Sequence, residues 1–292
     1  MSRPRKVAPG VSFFPAVTPT LPPATHTNSY AIGDREVLLV EPATPHDDER
    51  RAWLDWARSF SSQGRRLVGI LLTHHHPDHA GGASFFADEL GLPLWAHRET
   101  ASRLPALSIT RHLDEGEEIL LDGAMPTKLA VLHTPGHAPG HLCLFDEETG
   151  TVIVGDMVAS VGTIIVDPVD GDMIAYLDQL ERLANLGATV ALPAHGEPID
   201  APSLLFRHYI KHRLGREAKV VAALATFGPK GASAEALVPV VYSDTPAFLW
   251  PLAQQSLLAH LVKLEREGRV TRGVTGGVAG GMGGEFRLVS AS

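Results

Sequence analysis

A single cysteine, Cys143, stands in the whole sequence of 292 residues. Its isolation excludes an intrachain disulfide framework and any zinc or iron–sulfur site built from several thiolates. No window approaches the roughly 18 uninterrupted apolar residues of a membrane-crossing helix. The opening stretch MSRPRKVAPGVSFFPAV starts basic, but prolines break up any apolar run of the kind a secretory signal needs. A cytoplasmic location with no membrane partner is therefore expected.

Basic residues are scarce as well, and unevenly so. Residues 1–202 hold 14 Lys and Arg against 27 Asp and Glu, a net −13, whereas residues 203–292 hold 11 against 6, a net +5. An acidic body with a basic C-terminal region directs any polyanionic partner to that region. Hydrophobic residues, at 44%, are plentiful enough for a buried core, and the length suggests about two domains. Histidine is abundant: 15 in all, four of them within residues 73–79.

Short branched runs at residues 37–40 and 67–73 read as buried strands. Residues 129–133, 142–145, 151–154 and 190–193 read as further strands, each running into a Gly- or Pro-bearing loop. Residues 83–90 read as a helix closed by Gly91, and residues 174–186 as one with a regular apolar spacing, stopped at Gly187. From residue 203 to 227 the pattern is one long helix. Shorter helices at 232–241 and 251–267 precede two short strands, 270–289, around TGGVAGGMGG. Helix, helix and a glycine-tipped hairpin outline a winged helix. The expectation is an α/β (α+β) chain of two domains, 1–202 and 203–292.

The segment Thr73-His74-His75-His76-Pro77-Asp78-His79 directly follows a strand. In extended backbone alternate side chains share a face, so His74 and His76 converge while His75 points away. Pro77 suits the first position of a new helix, which places Asp78 and His79 beside the first pair. Imidazole and carboxylate without thiolate favour zinc, with iron or manganese as alternatives. Three later strand ends offer further ligands: His137 in HTPGH, Asp156 in VGD and His195 in PAHG. Cys143, in the apolar run LCLF, reads as core. His133 and His141 are candidates for supporting hydrogen bonds.

In this order, THHHPDH, HTPGH, VGD and PAHG resemble the motif set of the metallo-β-lactamase-fold hydrolases, over roughly residues 11–198. The resemblance implies an αββα sandwich with two metal ions at one edge. His74, His76 and His137 would bind one ion, Asp78, His79 and His195 the other, and Asp156 would bridge them. A bridging hydroxide, held beside Asp78 and His79, would be the nucleophile. One departure is visible: the second strand commonly ends in Asp-Thr-Gly, and this chain has Glu41-Pro42-Ala43-Thr44. Glu41 is expected to alter hydrogen bonding behind the ligands without removing one.

Fold alone does not assign a reaction. Lactamases with a cysteine ligand need Cys where Asp156 stands, and RNA-processing enzymes with a large insertion need more than the 57 residues between His137 and His195. The C-terminal pattern is similar to the lactamase-like group with an associated winged helix. That group includes thioesterases acting on carrier-bound polyketides and a mitochondrial single-strand-preferring endoribonuclease. Two functions follow. The favoured one is hydrolysis of an ester or thioester, linked to CoA, glutathione or a carrier protein. The alternative is RNA cleavage, with Arg207, Lys211, Arg213, Arg216 and Lys219 tracking the phosphates. A purely DNA-binding regulator would leave the metal motif idle. The winged helix is expected to form a wall of the cleft or a homodimer contact.

Overall fold

Val37, Leu38, Leu39 and Val40 are all fully buried, yet successive side chains leave a strand in opposite directions. Leu38 and Val40 join an apolar cluster with Leu142, Leu144 and Ile153, whereas Val37 and Leu39 join another with Trp53, Trp56 and Phe60. Such a strand needs a layer on each side. The computed structural model, which describes residues 4–273 and 284–289, supplies both.

One sheet contains β1 (Arg5–Ala8), β2 (Val11–Val17), β3 (His26–Gly33), β4 (Glu36–Val40), β5 (Arg66–Leu71), β6 (Leu94–Ala96) and β7 (Ile109–His112) in that order. It is antiparallel as far as β4 and parallel from β4 to β7. In the other sheet β8 (Glu118–Leu121), β9 (Thr127–His133), β10 (Leu142–Asp146), β11 (Thr151–Gly155) and β12 (Val190–Pro193) follow one another, parallel only between β11 and β12.

Helices α1 (Asp47–Ser62) and α3 (Ala83–Leu90) cover the outer face of the first sheet, while the single turn α2 (Pro77–Ala80) and α4 (Arg98–Arg103) lie in its connections. α1 buries Trp53, Leu54, Trp56, Ala57 and Phe60. At about 1.5–3 kcal/mol for each large side chain buried, that face outweighs propensity differences of at most about 0.7 kcal/mol per residue. Cys143 and Phe145 alternate with Leu142 and Leu144 to face outward against Tyr176 and Leu180 of α5 (Met173–Ala184) and Phe206 of α6 (Pro202–Phe227). The layers are therefore helix, sheet, sheet, helix, and Cys143 is a core residue, as its setting predicts.

α6 serves two cores. Phe206 and Tyr209 pack on the sandwich, while Val220, Ala223 and Leu224 pack with α7 (Ala234–Val241), α8 (Trp250–Arg266) and the hairpin β13 (Val270–Gly273) and β14 (Glu285–Leu288). The hairpin's strands match the expected wing, whose glycine-rich residues 274–283 lie outside the described residues. Among the described residues no helix is long and apolar enough to cross a membrane.

Candidate metal centre

Four strands end at the same edge of the sandwich, and each hands over a nominated side chain. β5 runs through Thr73 into His74, His75 and His76. Pro77 then starts α2, with His76 as N-cap and Asp78 and His79 inside the turn. Proline costs nothing at that position, because the first helical N–H has no intrahelical partner. His137 follows β9, Asp156 follows β11, and His195 follows the neighbouring parallel strand β12.

These side chains form two groups. His74 Nε2 lies 3.0 Å from His76 Nδ1 and 3.2 Å from His137 Nε2, and the last two are 2.9 Å apart. A tetrahedral zinc site with its usual bond lengths has nitrogen–nitrogen edges of about 3.3 Å. In the second group Asp78 lies 3.8 Å from His79 Nε2 and 3.6 Å from His195 Nε2. Asp156 stands between the groups. Its Oδ1 is 3.6 Å from His79 Nε2 and 3.3 Å from His195 Nε2, while its Oδ2 is 3.5 Å from His137 Nε2. All seven nominated residues thus meet, and both triads have the separations of a metal-holding cluster.

Most ring nitrogens that face away from the cluster make a hydrogen bond, and His79 Nδ1 sits beside a carboxylate. His137 Nδ1 donates to Ile165 O at 2.8 Å and His195 Nδ1 to His26 O at 2.9 Å. His76 Nε2 lies 3.0 Å from Asp170, and His79 Nδ1 lies 3.1 Å from Glu41 Oε1. The Thr73 hydroxyl donates to Glu41 and accepts from His74 Nδ1 at 3.0 Å. Fixing one nitrogen of an imidazole orients the other and sets its tautomer. His79 Nε2 and Asp156 Oδ1, inside the cluster, and His79 Nδ1, beside Glu41, are buried without a hydrogen-bond partner.

Burial, then the neighbouring rings His79 and His76, drives His74 well below the usual imidazole range, and burial holds His137 at about 4. Both are neutral at pH 7, so no proton competes for their lone pairs. Burial alone would raise Asp156, but the His195 and His79 rings outweigh it and keep the carboxyl ionised. Burial would likewise lower His79, and Glu41, Asp156 and Asp78 reverse the sign. An incoming cation would displace that proton.

One supporting group, Asp170, has no sequence signal strong enough to name it. Asp170 accepts from both His75 and His76 at 3.0 Å and from Arg103 Nε at 3.2 Å. The loop ahead of α5 carries it, and its DGD string has no periodicity to mark it. Glu41 was visible only as a departure from a pattern. It supports one ring in each group, through Thr73 and His79, with its backbone at φ +60°. His141 settles as a support: its Nε2 accepts from Asp156 N at 3.0 Å and its Nδ1 donates to Thr134 Oγ1 at 2.8 Å. Gly155 makes that contact feasible. At φ +45° a Cβ there would sit 2.5 Å from His141 Nε2. His133 instead donates to Pro139 O at 2.7 Å, outside the cluster.

His76, Asp78, His137, Asp156 and His195 line a cavity of about 610 Å³ that continues to the C-terminal module. A sandwich that gathers imidazoles and carboxylates at one edge, with a helical module closing the cleft, defines a class of metal-site proteins. Residues 22–195 match the metallo-beta-lactamase superfamily, and residues 233–277 match the beta-lactamase associated winged helix domain. The chain belongs to the metallo-beta-lactamase superfamily, whose members are generally hydrolases. It is similar to a beta-lactamase-like protein 2 homolog of Drosophila melanogaster, 31% identical over 84% of this chain and 84% of the relative. It also resembles an atrochrysone carboxyl ACP thioesterase of Aspergillus chevalieri, 28% identical over 86% of this chain and 79% of that one. Among solved structures, a metallo-beta-lactamase family protein of Thermus thermophilus superposes with a TM-score of 0.76 at 26% identity. That likeness spans 96% of this chain and 99% of the other.

Proposed function

We propose that this chain is a binuclear, zinc-dependent hydrolase of an ester or thioester, its acyl group carried by CoA, glutathione or a carrier protein. The observation that carries the reading is Asp156, which offers one carboxylate oxygen to each of two ligand clusters. His74, His76 and His137 would hold one ion, and Asp78, His79 and His195 the other. The donor set is imidazole and carboxylate, which suits zinc, and the orphaned His79 Nε2 and Asp156 Oδ1 fit a bound cation. When bound, two such ions supply activated water at neutral pH and polarise the oxygen under attack. The chain's own contribution is orientation: Glu41, Asp170 and the carbonyls of His26 and Ile165 fix the rings before a ligand arrives.

Two observations support a thioester over RNA. The Aspergillus chevalieri relative is a thioesterase by name. The cationic stripe of α6 is largely occupied within the chain: Arg207 pairs with Glu181, Arg216 and Lys219 pair with Asp244, and Arg213 is buried on Ile164 O. The test is a paired assay on zinc-loaded protein, with a thioester panel in one arm and labelled single-stranded RNA in the other. A His137→Ala blank controls both. Thioester cleavage that vanishes in the variant, with RNA intact, is the expected result. Metal-dependent RNA cutting without thioesterase activity would make the chain an endoribonuclease instead.

A further inference from the structure

The cluster residues form only part of the cavity's lining. Three segments far apart in sequence supply the rest: the β2–β3 connection with Leu21 and Pro22, the loop after β11 with Val161, and the start of α8 with Leu249, Leu252 and Ala253. The first two are in close contact, since a Cβ on Gly162 would lie 2.8 Å from the Pro23 ring. The third belongs to the winged-helix module, so the cavity is complete only when that module is docked.

Charge at this wall argues against a polyanion. Arg213, 3% exposed, is spent on Ile164 O. Arg216 donates to Val241 O at 2.6 Å and Asp244 at 2.8 Å while its guanidinium covers the Tyr242 ring. Lost hydration, then the fields of Arg213 and Arg216, hold His212 at about 4, so it is neutral at physiological pH. The other charged side chains of the lining, Asp167 and Asp170 among them, are carboxylates. What the wall offers beyond the cluster is apolar surface, and Leu21 and Val161 remain 50% and 36% exposed there.

We infer that this wall is an acyl-binding pocket: a neutral, apolar acyl group lies against Leu21, Leu249 and Leu252, and the winged-helix module sets substrate chain length. The inference rests on the hydrolase reading for the chemistry at the cluster, but concerns only the acyl half of the substrate. It assigns the C-terminal module a part in specificity, with its α8 as a wall of the active-site cleft.

The test uses the full, zinc-loaded chain and titrates butanoate, hexanoate, octanoate and decanoate by calorimetry. N-acetylcysteamine thioesters of the same acids are assayed in parallel. Burying four additional methylenes should tighten octanoate over butanoate by at least about tenfold. Leu252→Trp fills the pocket, and Leu21→Asp places a charge on a half-exposed loop residue, with an unchanged melting temperature as the check that the variant is folded. Each should reduce the octanoate-to-butanoate ratio to within about threefold. Affinity independent of length, or a length preference that survives both variants, would overturn the pocket. So would displacement of octanoate by a single-stranded oligoribonucleotide. Length-dependent binding with no thioester turnover would sustain the pocket and remove the hydrolase reading. Turnover with flat affinities would do the reverse.

Discussion

Both halves of the molecule bury ionisable side chains, and they balance the charge in opposite ways. In the C-terminal half Glu217 of α6 is buried, with Lys263 Nζ at 2.8 Å, Arg269 Nη1 at 2.9 Å and His260 Nδ1 at 3.7 Å. Its negative charge is cancelled within the chain, and the cluster ties α6 to α8. At the sandwich edge Asp78, Asp156 and Glu41 face histidines and one threonine, and among the described residues no Lys or Arg pairs with them. Buried carboxylates persist only with a counter-charge. A cluster that closes on itself is architecture. One left short of positive charge, with its rings already oriented, has the donors and the charge that suit a cation.

The comparison breaks most completely at His137, the ring that completes the first triad. His137→Ala should reduce zinc-dependent turnover by far more than the ~10–100-fold cost of losing a supporting residue. Intact activity in a steady-state assay would contradict the assignment. Asp170→Asn sharpens the contrast without touching a nominated ligand. His76 loses its anionic support, so zinc affinity measured against a chelating dye should fall by about 10–100-fold. The melting temperature should stay close to wild type, and activity should return in excess zinc.

The smallest effect on the site is expected from the self-balanced cluster. Glu217→Gln should cost about 1.5 kcal/mol of stability by denaturant titration, since a hydrogen bond to charge is lost. Zinc affinity should not change. Burial would raise the Glu217 carboxyl, but His260 and Lys263 outweigh it and hold it at about 2 against an ordinary 4.5. A carboxyl depressed on folding stabilises the fold above its unfolded value. That contribution is lost as pH falls from about 4.5 towards about 2. The variant should therefore lose stability less steeply than wild type over that window.

How much of this was legible in the sequence follows the physics of each element. The strands leading into His137, Asp156 and His195 are short, mainly apolar runs that end at a Gly or Pro turn, and the one leading into His74 is a branched apolar run that gives way to the histidines. They were readable within a residue or two. α6, α7 and α8 were likewise visible from their periodicity, and α6 continues through Gly215 because its ends are held by two cores. β3 gave no such signal. Its Thr27, Asn28 and Ser29 are polar yet buried, because Asn28 donates to Pro193 O at 2.8 Å and Gly196 O at 2.9 Å and so clamps the loop of His195. α1 gives little sequence signal although one face is rich in tryptophan, because acidic and basic residues crowd its first turns. The ligand set stood out as dense motifs. The supports did not, since Asp170 and Glu41 act over separations of 94 and 38 residues.

The central claim is that one carboxylate, Asp156, joins two cation sites. Zinc titration of the metal-free protein, with stoichiometry read by chelator competition, tests it most directly. The account predicts two ions per chain, with both affinities weakened in Asp156→Ala. A single ion per chain, or an Asp156→Ala protein that binds two ions as tightly as wild type, would contradict it.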